Sequence, residues 1–183
     1  MEVYHEAVIL ILMLILGIDP GTATTGYGVV KIKEDVYEIV DSGLIETSKN
    51  GTPAKRLQTI HKELSKILKD HRPNVMAIEK IFFATNAKTA IRVGQAQGIM
   101  LLSAAKYKAE VVEYAPGTIK KVVAGNGRAD KKDIQKSLRK VFGAGVRSKP
   151  RQKTHFDNEA DALAVALCHA LRVNGKIKKQ KKG

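Results

Sequence analysis

The stretch Leu14–Val30, LILGIDPGTATTGYGVV, ends an apolar run in Asp19 and returns through a Gly- and Thr-rich turn into a second, alternating apolar run. That pattern reads as strand, turn, strand, with one carboxylate fixed at the mouth of the turn. Asp19-Pro20-Gly21 is also good turn chemistry in its own right, since proline presets φ and glycine permits a positive one. A second acid, Glu79, separates the apolar VMAI and IFF, where a charge is expensive unless paired, hydrated or bound to metal. A third, Asp161, falls in the first turn of a C-terminal helical pattern, where it would also complement the helix dipole. Three carboxylates suit a hard cation. Mg²⁺ prefers carboxylates and retains waters, and two such ions about 3.5–4 Å apart can activate a water and stabilise the leaving oxygen in phosphodiester cleavage.

Other chemistries have less support. No Ser/His/Asp order is evident, and the single Cys168 excludes a Cys-rich zinc site or an internal disulfide, reading instead as a core thiol. His61, His71 and His169 sit in helical patterns as surface or packing residues, whereas His155, nearer the acids, has a minor claim. The net charge of +14, from 32 Lys+Arg against 18 Asp+Glu, favours a polyanionic partner, nucleic acid first and an anionic membrane second. No amphipathic apolar face accompanies the tail lysines, which weakens the membrane option.

A chain of 183 residues with 44% hydrophobic content can bury one substantial core. Residues 7–18 are continuously apolar, but a dozen residues fall short of the roughly 20 that span a bilayer, and acids precede them where a signal peptide has basic residues. Met13 is the expected first residue of the domain and 1–12 an extension, a longer first strand or a short helix being the alternative. Met13–Ile18, Tyr27–Ile32 and Val36–Thr47 suggest an antiparallel meander, with Lys33-Glu34-Asp35 as a turn. Thr52-Pro53 opens a helix that Arg72-Pro73 ends. Val75–Ile78 and Val111–Tyr114 are short strands, and Asn86–Lys108, Pro116–Ala124, Lys131–Phe142 and Asn158–Arg172 are helices. Residues 143–154 read as a mobile loop and the basic tail, 173–183, as disordered. Gly94 and Gly98, four apart beside Ile91 and Leu101, imply close approach of another backbone, within the chain or across a dimer.

The element order describes an α/β fold with a mixed sheet. If the fourth strand lies beside the first and parallel to it, Asp19 and Glu79 face one crevice.

GIDPGTATTGYG, AIEKIFFATNAKTAIRVGQAQG, EYAPGTIKKVVAGNGRADK and EADALAVALCHA occur in order over Met13–Leu171 and together resemble the RuvC family of crossover junction endodeoxyribonucleases. The resemblance implies an RNase H-like fold, with a five-stranded mixed sheet flanked by helices, in a single domain over 13–172. It also implies a cytoplasmic homodimer that resolves four-way junction DNA by paired, Mg²⁺-dependent nicks in recombination and repair, with RuvA and RuvB as branch-migration partners. Two ions per subunit are expected, with Mn²⁺ as a substitute. By motif, Asp19, Glu79 and Asp161 become the metal-binding catalytic acids and Phe82 an aromatic that stacks on an unpaired base, core packing being its alternative. Lys120 and Lys131 become contacts near the scissile phosphate, with Arg128 and Lys132 as further phosphate contacts, and the helix with Ile91, Gly94 and Gly98 becomes the dimer helix.

One position departs from the family pattern. Asn158 stands where another acid or a histidine is usual, and an amide is a weaker Mg²⁺ ligand. Asp157 or His155 could fill in, or Asn158 could be an N-cap with Asp161 in a capping box. A junction-binding protein impaired at Asn158 is therefore an alternative reading. GIDPGTATTG also resembles the phosphate loop of the actin and sugar-kinase superfamily, but the second phosphate motif and second lobe of those proteins are not found.

Overall fold

The computed structural model describes residues 12–80, 87–143, 146 and 153–180. Five strands, β1 (Leu12–Asp19), β2 (Thr24–Lys33), β3 (Val36–Glu46), β4 (Val75–Glu79) and β5 (Glu110–Tyr114), form one sheet in the order β3-β2-β1-β4-β5. The first three strands pair antiparallel, whereas β4 runs parallel to both β1 and β5, so the sheet is mixed. Helices α1 (Pro53–His71) and α2 (Ala87–Lys106) cover one face. Helices α3 (Pro116–Ala124), α4 (Lys131–Phe142) and α5 (Lys153–Gln180) cover the other.

Strand alternation sorts the two cores. Leu16 and Ile18 of β1 and Met76 and Ile78 of β4 pack under α1 and α2, while Ile15 and Ala77 pack under α5. The period of two therefore turns Asp19 and Glu79 toward the α5 face at the carboxyl ends of two parallel neighbours. Local signals act as the sequence suggests: the Thr52 hydroxyl accepts from the Lys55 amide, and Arg72 closes α1 in the left-handed region at φ 46°. An Asp130–Asp133 capping box starts α4.

Helix α5 is seated on glycines. A Cβ on Gly17 would strike the Ala162 carbonyl, one on Gly26 the Asn158 carbonyl, and one on Gly28 the Leu163 side chain. The helix backbone thus lies directly on β1 and β2, a closeness that no larger residue at these positions permits.

Three expectations need correction. Helix α5 begins at Lys153, not Asn158, so Asn158 is no N-cap and Asp161 lies beyond the first turn. The helix also continues through Gln180, where the tail from 173 was expected to be disordered. Lys and Gln are good helix formers, and the Asn174 amide donates to the Glu34 carbonyl, Asp35 and the Tyr37 hydroxyl, tying this end to the β2–β3 turn. Finally, nothing within the described chain comes within 4 Å of a Cβ built on Gly94 or Gly98, which removes close approach inside the chain as their explanation. The strand begins at Leu12, while the rest of the expected extension lies outside the described residues, as does most of the loop expected over 143–154.

Gly17→Ala and Gly26→Ala should each cost about 1–3 kcal/mol or more through overpacking, read as a lowered thermal midpoint. Gly94→Ala should leave monomer stability within about 1 kcal/mol or raise it, because its site is open and alanine favours helix.

Candidate active site

The three acids arrive by three routes. Asp19 ends β1, opposite Gly26 of β2, and Glu79 ends β4, opposite Tyr114 of β5. Asp161 comes down from α5, one turn past Asn158, whose backbone rests on Gly26. Beyond Glu79, the Lys80 amide donates to the Tyr114 carbonyl at 2.8 Å, which prolongs the β4–β5 ladder past the acid.

These groups share one electrostatic field. Burial, then the Asp161 charge, pushes the Asp19 carboxyl up to about 6 against an opposing pull from Lys131. Glu79 is pushed up to about 7 by burial first and then by Asp19 and Asp161, with Lys120 opposing. Burial also raises Asp161, and Lys131 is the largest counterweight. The Lys131 ammonium stands 3.4 Å from Asp157 and 3.7 Å from Asp161, so one cation joins two carboxylates a helical turn apart. Gln135 of α4 donates to Asp157 at 3.3 Å, steadying that acid from the side.

Proximity stops short of a closed chelate. Among the described residues no group of three or more acids, histidines or cysteines is gathered closely enough to hold a metal ion as it stands. Like charges in a partly buried crevice repel, and Lys131 draws Asp161 toward Asp157.

The family profile of crossover junction endodeoxyribonuclease RuvC matches residues 15–169. The chain belongs to the RuvC family. It is 44% identical over 158 residues to the crossover junction endodeoxyribonuclease RuvC of Alkaliphilus oremlandii, covering 86% of this chain and 93% of that one. The corresponding enzyme of Pelotomaculum thermopropionicum is 45% identical over the same shares. The structure of Thermus thermophilus RuvC in complex with Holliday junction substrate superimposes with a TM-score of 0.80 at 32% identity, covering 90% of this chain and 96% of that one. A yeast mitochondrial Holliday junction resolvase, at 18% identity and a TM-score of 0.70 over 90% of this chain and 80% of its own, shares the fold. RuvC membership makes this chain a structure-selective endodeoxyribonuclease with an RNase H-like fold, and it lends no support to the alternative of a binding protein impaired at Asn158.

Other expected residues divide by location. Arg128 and Lys132 are exposed beside the start of α4, and Lys120 lies on α3 close enough to act on Glu79 and Asp161. Ile91 is 63% exposed on α2, as Gly94 and Gly98 are open. Phe82 and the His155 side chain lie outside the described residues. The remaining histidines have structural partners: His61 meets Ser103 at 2.8 Å, His71 meets Asp41 at 3.0 Å, and buried His169 meets the Tyr114 hydroxyl at 2.8 Å. Cys168 is fully buried, its thiol pushed up to about 11 by burial. The sequence reading missed the Asp157–Lys131–Asp161 bridge, although the four-residue spacing of the acids was a signal for it.

The raised carboxyls carry a stability consequence. Between about pH 4.5 and 7 the folded chain keeps a proton on Glu79 that the unfolded chain releases, so this group favours folding at low pH and loses that advantage as pH rises through 7. In EDTA, Glu79→Gln should therefore gain thermal stability relative to the wild type from pH 4.5 to pH 7.5. A constant difference between the two would remove Glu79 from the shared field.

Proposed function

We propose that Asp19, Glu79 and Asp161 are the metal-binding catalytic acids of a homodimeric resolvase that cuts four-way junction DNA by paired nicks. The supporting observation is the meeting of two strand-end carboxylates and one helix carboxylate in a single field, bordered by Lys120 and Lys131, in a chain of net charge +14. The donors fit hard divalent cations: all are oxygens, and their raised affinity for protons marks charge that a cation would neutralise. Mg²⁺, with Mn²⁺ as substitute and two ions per subunit, would supply an activated water and stabilise the leaving oxygen.

Asp19, Glu79 and Asp161 would hold the cation, which would supply the charge that orients the reacting phosphate. Asp157 completes the set in place of the neutral Asn158, since it shares Lys131 with Asp161. Lys120 and Lys131 face the scissile phosphate and offset its charge, with Arg128 and Lys132 contacting the backbone further out. Phe82 stacks on an unpaired base at the crossover, a contact worth roughly 1–3 kcal/mol. Ile91, Gly94 and Gly98 form the dimer face, where open glycines admit a second helix. The chain works in the cytoplasm and receives its junction from RuvA and RuvB. Among the described residues no helix is long and apolar enough to cross a membrane.

The test is cutting of a labelled four-way junction and a matched duplex with Mg²⁺, Mn²⁺ or EDTA. Metal-dependent paired nicks in the junction alone are expected; equal cutting of the duplex would overturn the reading. Asp19→Asn, Glu79→Gln and Asp161→Asn should each lower cutting by at least roughly 10²–10³-fold while sparing junction binding. Asp157→Asn should lower it by roughly 10–100-fold and Asn158→Ala by less; the reverse order would return the fourth position to Asn158. Phe82→Ala should slow intact junctions more than pre-nicked ones, and equal slowing would assign Phe82 to packing.

A further inference from the structure

A second cluster of cations lies on the other side of the turn that follows Asp19. A cleft of about 310 Å³ is lined by Thr22 of that turn, Lys49 and Arg56 at the start of α1, and Arg92 and Gln95 of α2. Among the described residues no acid lines it, and the first turn of α1 carries none, so the helix dipole adds to the positive field. Arg56 builds the frame. Its guanidinium donates to the Gly51 carbonyl at 3.3 Å, to the Lys49 carbonyl at 2.9 Å and to the Thr47 hydroxyl at 3.4 Å. The Thr47 hydroxyl in turn donates to the Thr22 carbonyl at 2.8 Å, coupling the cleft to the turn that follows Asp19.

Lys49 and Arg92 are exposed and enter no ion pair among the described residues. Two free cations over a polar, fixed frame suit a phosphodiester, with Gln95 able to donate as well. The larger neighbouring cleft is mixed in character: Asp41, Glu46, Glu63 and Asp70 line it together with Lys66 and His71, so it offers a polyanion no comparable excess of positive charge. The chain thus sorts charge around one edge of the sheet, with Lys49 and Arg92 on the α1/α2 side and Lys120 and Lys131 on the α3/α4 side.

We propose that the cleft between the start of α1 and α2 binds a backbone phosphate of the DNA strand, which crosses the end of β1 from Lys120 and Lys131 to Lys49 and Arg92. This inference rests on the nuclease reading above, and it assigns a phosphodiester site that the motif residues do not include. Arg56 is a positioning residue here, and Lys49 and Arg92 are the contacts.

The test measures junction affinity against salt for the wild type, Lys49→Ala and Arg92→Ala, in Ca²⁺ to prevent cutting, and repeats it with single neutral methylphosphonates placed along the cut strand. Each variant should bind roughly threefold to tenfold more weakly near 0.1 M salt, with the salt slope reduced by about one. One methylphosphonate position should weaken the wild type yet leave Arg92→Ala unaffected, a signature that a merely structural change would not give. Unchanged affinity and slope in both variants would overturn the inference while leaving the nuclease reading intact. Failure of the wild type to prefer the junction over a duplex would instead overturn the nuclease reading beneath it.

Discussion

The contact between the α5 backbone and the glycines of β1 and β2 is the constraint on which the rest depends. Gly17 and Gly26 present no side chain to the helix, so the Ala162 and Asn158 carbonyls of α5 rest almost on the strands, and Gly28 leaves room for the Leu163 side chain. Helix α5 supplies the third acid, and its distance from the sheet decides whether that acid shares a field with the other two. Ala162 and Ala166, one turn apart, continue the same economy of bulk on the helix side. A large residue anywhere along this seam would lift the helix and separate Asp161 from Asp19 and Glu79.

Such closeness carries an electrostatic cost that the fold leaves standing. Burial and the Asp161 charge oppose ionisation of Asp19, burial and the charges of Asp19 and Asp161 oppose that of Glu79, and the lysines offset only part of this. A chain optimised for stability alone would place apolar residues at these strand ends. Charge persists there in a chain of net charge +14, and buried carboxyls with perturbed affinity for protons are more common at functional sites than in plain cores.

Much of this was legible in the sequence because local and global signals agree. Alternation located the strands and Thr52-Pro53 and Arg72-Pro73 bounded α1, while the parallel pairing of β1 with β4, which element order left as a condition, is met in the sheet. The parity argument that turns Asp19 and Glu79 to one face was available too, since Ile15, Gly17 and Asp19 alternate with Leu16 and Ile18. The beginning of α5 was not legible, because Asn158 carries a strong capping signal that tertiary contact overrides. Nor was its far end, where Asn174 gains its value from a turn some 140 residues earlier in the chain. Gly94 and Gly98 signalled close approach of another backbone, and the described residues of the chain place none against them.

The sheet's outer border has a consequence for self-association. Among the described residues strand β3 has β2 on one side only, and Val36 and Val40 stand exposed along it with Glu38 between them and Glu46 at its end. An exposed edge of eleven residues invites backbone pairing with another copy. Antiparallel pairing of two such edges would bring acidic side chains together, and like charges facing across strands destabilise a ladder. The acids of β3 thus work as edge guards, discouraging open-ended stacking of sheets and leaving the uncharged stretch of α2 as the surface with less repulsion opposing contact between copies.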